Sequence, residues 1–170
     1  MNKVVSNATP LIYLAKIGKL EFLRNTFDEV IIPEEVRKEV VDKGKQLKHT
    51  DAFLIEKAID EGWLKVARTD LLRTPIDMGI GELAVISLAK KLNVKEVLID
   101  ETPARTAAKL LGLEARGTIF VLLNALQKKK ANLEEFLDLL QQLTLQGFRL
   151  GEGVYLDAIR QARRMATRDD

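Results

Sequence analysis

The segment Val4-Val5-Ser6-Asn7-Ala8-Thr9-Pro10-Leu11-Ile12 passes from an apolar strand through a polar turn into a helix. Lys3 to Val5 reads as a short buried strand. Pro10 suits the first turn of the helix behind it, where its missing N–H has no partner to lose. Leu11, Ile12, Leu14, Ala15 and Ile17 supply that helix's apolar face, and Gly18 ends it. In an open α/β sheet, ligand chemistry gathers just beyond the carboxyl ends of the strands. Asn7 stands at such an end.

The same alternation continues outward. Further strands are expected at Glu29 to Ile32 (stopped by Pro33), Trp63 to Ala67, Lys95 to Ile99 and near Ala115. Helices are expected at Lys19 to Asn25, from Pro33 with Val36 and Val40 inward, and at Asp51 to Asp60. Others follow at Glu82 to Leu92, Pro103 to Leu111 and Ile119 to Leu126. Thr69 to Gly81 reads as a polar loop. Two more helices, Leu133 to Leu145 and Val154 to Met165, flank a break at Gly147 and a Gly151-Glu152-Gly153 turn. The pattern predicts an α/β fold with a mostly parallel central sheet and extra C-terminal helices. No repeat, low-complexity tract or linker divides the chain. One domain over 1–170 is expected, with a core over 1–126 and a helical extension over 127–170.

Composition sets limits. With 46% apolar but only 5% aromatic residues in 170, the core must be built from Leu, Ile, Val and Ala. Trp63, Phe120, Phe136 and Phe148 fall in apolar patterns and read as core. A net charge of +2 neither predicts nor opposes nucleic-acid binding. The absence of cysteine excludes disulfides, zinc–thiolate sites and cysteine nucleophiles. There is no secretory-signal pattern and no apolar run of membrane-spanning length, so a cytoplasmic protein without a membrane segment is expected. Neither Gly79-Ile80-Gly81 nor Gly151-Glu152-Gly153 completes a phosphate or dinucleotide fingerprint, so no nucleotide cofactor is expected. Lys128-Lys129-Lys130 reads as a solvated helix end, with an RNA-backbone contact as the alternative, and His49 as a surface residue.

Three acids stand out by position. Glu39 adjoins the inward side marked by Val36 and Val40, Glu82 opens a largely apolar helix, and Asp100 closes an apolar strand. Each has an ordinary explanation: a solvated surface group, a charge at the positive end of a helix, an N-cap. Those explanations do not account for the set. Carboxylates at the edge of a core need partners. A hard divalent cation, Mg²⁺ or Mn²⁺, is the partner that amide and carboxylate oxygens select.

With these residues in place, the chain resembles the PIN-domain family, in a branch similar to VapC-type toxins that carries no assigned function. The resemblance runs through Val4 to Ile12, Leu14-Ala15-Lys16-Ile17-Gly18, Val30-Ile31-Ile32-Pro33, Val36 and Glu39. It continues through Gly79-Ile80-Gly81-Glu82, Leu98-Ile99-Asp100-Glu101, Arg105, Ala108, Gly112-Leu113 and Gly117-Thr118. It implies an α/β/α sandwich whose acidic pocket holds Mg²⁺ or Mn²⁺ and hydrolyses RNA phosphodiesters. Carried over by position, Glu39, Glu82 and Asp100 are the expected catalytic residues. Asn7, Glu39, Glu82 and Asp100, with Glu101 beside them, are the expected metal ligands. Thr9, Arg105 and Thr118 are expected to meet substrate, with Ser6 as a further hydroxyl. The implied partners are RNA, an antitoxin protein and a second copy of the chain in a homodimer.

Asn7 departs from the pattern. Strongly active members carry Asp there, whereas an amide offers one oxygen and no charge. Weaker metal affinity and slower or lost turnover follow, and with them a second expectation: a catalytically weak module that binds RNA or a protein partner.

Overall fold

The computed structural model describes residues 1–168; the last two residues of the expected domain, 169 and 170, lie outside the described residues. Five short strands form one all-parallel sheet: β1 (Lys3–Ser6), β2 (Glu29–Pro33), β3 (Leu64–Ala67), β4 (Glu96–Leu98) and β5 (Glu114–Arg116). Their order is β3-β2-β1-β4-β5. The chain winds outward from β1 through β2 to β3, then returns to the other side of β1 for β4 and β5. Val5 therefore lies opposite Ile31 on one side and Val97 on the other. The winding reverses between β1 and β4, and the crevice at their carboxyl ends is where doubly wound sheets bind ligands.

Helices cover both faces, so the central strands are apolar on both sides: Val4, Val5, Val30, Ile31, Ile32, Val97 and Leu98 are all buried. The helices are α1 (Ala8–Lys16), α2 (Phe22–Thr26), α3 (Glu34–Arg37), α4 (Gly44–Gln46), α5 (Thr50–Asp60), α6 (Ile80–Leu92), α7 (Thr102–Leu110), α8 (Thr118–Gln127), α9 (Leu133–Leu145) and α10 (Glu152–Thr167). A π-helical turn, Lys38–Lys43, joins α3 directly to α4. Helix α6 packs on β1, β2 and β4, and its run Ala84 to Ala89 is wholly buried. Helix α8 packs against α1, α2, α9 and α10. Phe136, Leu140 and Leu143 of α9 and Ala158 and Ala162 of α10 thereby join the same apolar cluster as the sheet.

The α/β architecture is the expected one, with instructive differences at element boundaries. Pro33 is the last residue of β2, opposite Ala67, instead of lying beyond it. Helix α6 starts at Ile80, two residues before the expected Glu82. Glu82 Oε2 accepts the Gly79 N–H at 2.9 Å, satisfying one of the donors that a helix start leaves free. The helix after Pro33 is not plain α either, because Val36, Val40 and Val41 are all buried. That spacing combines i, i+4 with i, i+5.

Candidate active site

Asn7 is placed at the switch point by the sheet itself. Its N–H donates to the Leu98 carbonyl at 2.9 Å, closing the gap between β1 and β4. It is the N-cap residue of α1, yet its side chain makes no capping bond. The amide oxygen is turned elsewhere: a Cβ built on Gly81 would lie 3.4 Å from Asn7 Oδ1 and 3.3 Å from Glu39 Oε2. Two oxygens from different elements thus border a spot that glycine leaves open. Around it is a cleft of about 350 Å³, lined by Asn7, Thr9, Glu35, Glu39, Glu82 and Glu101 among others. Thr9 Oγ1 donates to Glu101 Oε1 at 2.7 Å, fastening the segment after β4 to the first turn of α1. The sequence placed Asn7, Thr9, Glu39, Glu82 and Glu101 apart, and the fold brings all five together.

Asp100, Thr118 and Arg105 form a second group, outside the residues that line this cleft. Asp100 accepts the Thr118 N–H at 2.8 Å through Oδ1 and the Thr118 hydroxyl at 2.7 Å through Oδ2. It caps α8 from a distance, a role that Asp performs well. Arg105 donates to the carbonyls of Ile99 at 3.2 Å and Ala115 at 3.4 Å, joining the ends of β4 and β5. A Cβ on Gly117 would come within 2.7 Å of Asp100 Oδ1 and 2.9 Å of Arg105 Nη1. Ser6, also buried, turns its hydroxyl to the Asn7 carbonyl.

The electrostatics follow from crowding. Loss of hydration in the cleft raises the Glu39 pKa; Glu101 and Glu82 raise it further against the pull of Lys43. Burial likewise raises the Asp100 carboxyl, opposed by its two bonds from Thr118. Raised carboxyl pKa values in a cleft mark functional sites more often than chance, because stability alone does not favour them.

Glu35 was not singled out from sequence, although it lies four residues before Glu39 and hence on the same helical side. Its Oε2 is buried without a hydrogen-bond partner. Glu35 also borders a larger depression of about 540 Å³ that reaches Lys38, Arg68 and Lys91. That depression lies away from the switch point; the smaller cleft holds the converging oxygens.

The donor set suits a hard divalent cation. Every polar side chain at the Gly81 cradle offers oxygen, and one buried carboxylate oxygen nearby has no partner. Charge is the weak point: among the described residues no three Asp, Glu, His or Cys side chains cluster closely enough to hold a metal. An amide occupies the central position.

These features define a class, the doubly wound α/β domain with side-chain oxygens gathered at its switch point. The PIN-domain family profile matches residues 3–164, and the chain belongs to that family. PIN domains are generally nuclease-like and generally use divalent metal ions. No curated protein sequence matches the chain. It is similar to a domain of a functionally unknown protein from Methanocaldococcus jannaschii (22% identity, 69% of this chain and 91% of that one, TM-score 0.46). It is also similar to a PilT N-terminus domain protein from Sulfolobus solfataricus (21% identity, 74% of this chain and 94% of that one, TM-score 0.46). No helix among the described residues is long and apolar enough to cross a membrane.

Proposed function

We propose that the protein is a metal-dependent endoribonuclease of PIN type, using Mg²⁺ or Mn²⁺ to hydrolyse RNA phosphodiesters. The observation that carries this reading is the convergence of Asn7 Oδ1 and Glu39 Oε2 over Gly81 at the switch point. When bound, such a cation makes water a nucleophile near neutral pH and offsets charge on the phosphate oxygens. Asn7 and Glu39 would hold it, with Glu82, Glu35 and Glu101 around them. Glu39, which opens onto the Gly81 cradle, would take a proton from the attacking water. Thr9 orients Glu101. In this reading Asp100, Thr118 and Arg105 act from outside the cleft, fixing the end of β4 from which Glu101 projects. A toxin role with a neutralising antitoxin, and pairing of two copies on RNA, belong to the proposal through the family resemblance alone.

A second reading is favoured by Asn7: a PIN module that binds RNA but cleaves it weakly or not at all. Restoring the charge separates the two. Calorimetric Mn²⁺ titration and RNA cleavage with and without chelator would be run on the parent, Asn7→Asp, Glu39→Gln and Glu82→Gln. Asn7→Asp should bind Mn²⁺ about tenfold tighter or better, since affinity follows ligand charge. A parent that cleaves, and loses cleavage in Glu39→Gln, supports the nuclease. A parent that only binds RNA, with cleavage appearing in Asn7→Asp, supports the second reading. Parent-level cleavage in both Gln variants would sink the assigned site.

A further inference from the structure

Glu39 reaches the cleft from an unusual backbone. It lies in the π-helical turn Lys38–Lys43, and π turns inside α-helices occur often at functional sites. The turn is pinned at both ends. Before it, α3 follows directly from Pro33, which is held in the sheet opposite Ala67. After it, Gly44 approaches α5 so closely that a Cβ there would lie 2.8 Å from Ala52 Cβ. Val36 and Val41, five residues apart, are both buried.

One side-chain contact spans this turn. Arg37 Nη1 donates to Asp42 Oδ1 at 3.0 Å and Arg37 Nη2 to Asp42 Oδ2 at 3.2 Å, a bidentate pair. The same guanidinium donates from Nε and Nη2 to Glu34 Oε1, at 2.9 and 2.6 Å. In an α-helix with 3.6 residues per turn, residues five apart point about 140° away from each other around the axis. Where hydrogen bonds reach back five residues the turn is wider, and two such side chains come much nearer to the same side. The Arg37–Asp42 fork therefore fits the π register and not the α register. Relaxation to α would rotate the residues on one side of the turn by about 100° against those on the other. It would then carry Glu39 off Gly81 or lift α4 from α5.

We propose that Arg37 and Asp42 are positioning residues, a clamp that holds the π turn and thereby aims Glu39 at Asn7 and Gly81. Neither residue lines the cleft. The assignment of Glu39 as the aimed group rests on the nuclease reading above; the clamp itself does not.

The test is Asp42→Ala beside the conservative Asp42→Glu, in the full chain without metal. An NMR cross-peak between the Glu39 side chain and the Gly81 α-protons reports where Glu39 points. The clamp predicts loss of that cross-peak, with α-type shifts across Lys38–Lys43, in Asp42→Ala and their return in Asp42→Glu. It also predicts Mn²⁺ affinity lower by about 10–100-fold in Asp42→Ala, the range for groups that orient a ligand. Thermal stability should change little, because the clamp predicts that Glu39 moves while α4 stays on α5, and the half-exposed pair itself contributes little. An unchanged cross-peak in both variants would overturn the clamp. Should the parent neither bind Mn²⁺ nor cleave RNA, the nuclease reading fails, and the cross-peak still decides the clamp.

Discussion

Gly81→Ala separates folding from function at one atom. The new methyl would sit 3.3 Å from Glu39 Oε2, 3.4 Å from Asn7 Oδ1 and 3.8 Å from Val36 Cγ2. None of these is a prohibitive approach, and the closest is the free end of a flexible side chain. Gly81 is the second residue of α6, where alanine recovers part of the ~1 kcal/mol that glycine costs in a helix. Set against a contact tighter by a few tenths of an ångström, the net change in stability should stay within about 1 kcal/mol. In a chain of this size that is roughly 2–4 °C in Tm. The methyl nevertheless occupies space onto which both oxygens open. Mn²⁺ affinity should fall at least about tenfold, ~1.4 kcal/mol, and metal-dependent RNA cleavage with it. Calorimetry and a thermal melt on the same sample read both quantities. A Gly81→Ala protein that binds Mn²⁺ with parent affinity would show that the ion site lies elsewhere in the cleft.

Gly117→Ala should have the opposite profile. Its backbone is extended and accepts alanine, but the Cβ would lie 2.7 Å from the Asp100 carboxylate, which its two bonds to Thr118 keep from swinging away. Overpacking plus one lost charged hydrogen bond should cost about 2–4 kcal/mol in urea unfolding; a loss below ~0.5 kcal/mol would show that the network gives way freely. Glu39→Gln should stabilise the protein at neutral pH. The folded chain holds the Glu39 proton more tightly than the ordinary value of 4.5. Its ionisation penalty is thus absent below that value, grows as pH rises toward the raised folded value, and persists above it. The variant's Tm should exceed the parent's by a few degrees at most at pH 7, because the group is screened by solvent, and the gap should close on acidification. A gap independent of pH would remove the crowding argument.

Much of this was legible in the sequence because strand ends are legible. The apolar runs at Val4-Val5 and Val97 to Ile99 stop at polar residues, and Val30 to Ile32 stops at Pro33. Topology then gathers whatever stands at the stops, which is how Asn7 and Glu101 come to share a cleft. Asp100 and Glu101 show where sequence reasoning ends. Neighbouring residues at a strand end point to opposite sides, and nothing local says which of two adjacent acids faces the cleft. Thr118, remote in sequence, bonds Asp100 through both its N–H and its hydroxyl, whereas Glu101 accepts from Thr9 at the cleft. Arg105 is expected to meet substrate, and no local pattern points to the two carbonyls it serves, Ile99 just past β4 and Ala115 in β5. The π turn was also hidden. Val36 and Val40 satisfy an ordinary helix, and only the burial of Val41 beside them signals the extra residue.

The sheet has two open margins, β3 and β5, of four and three residues. Glu114 and Lys65 on these margins are exposed, and Lys65 is engaged by Glu29 from the neighbouring strand. Short, charged margins are how natural sheets avoid templating the growth of foreign strands. A nascent or crowded population of this chain therefore offers little purchase for end-to-end polymerisation.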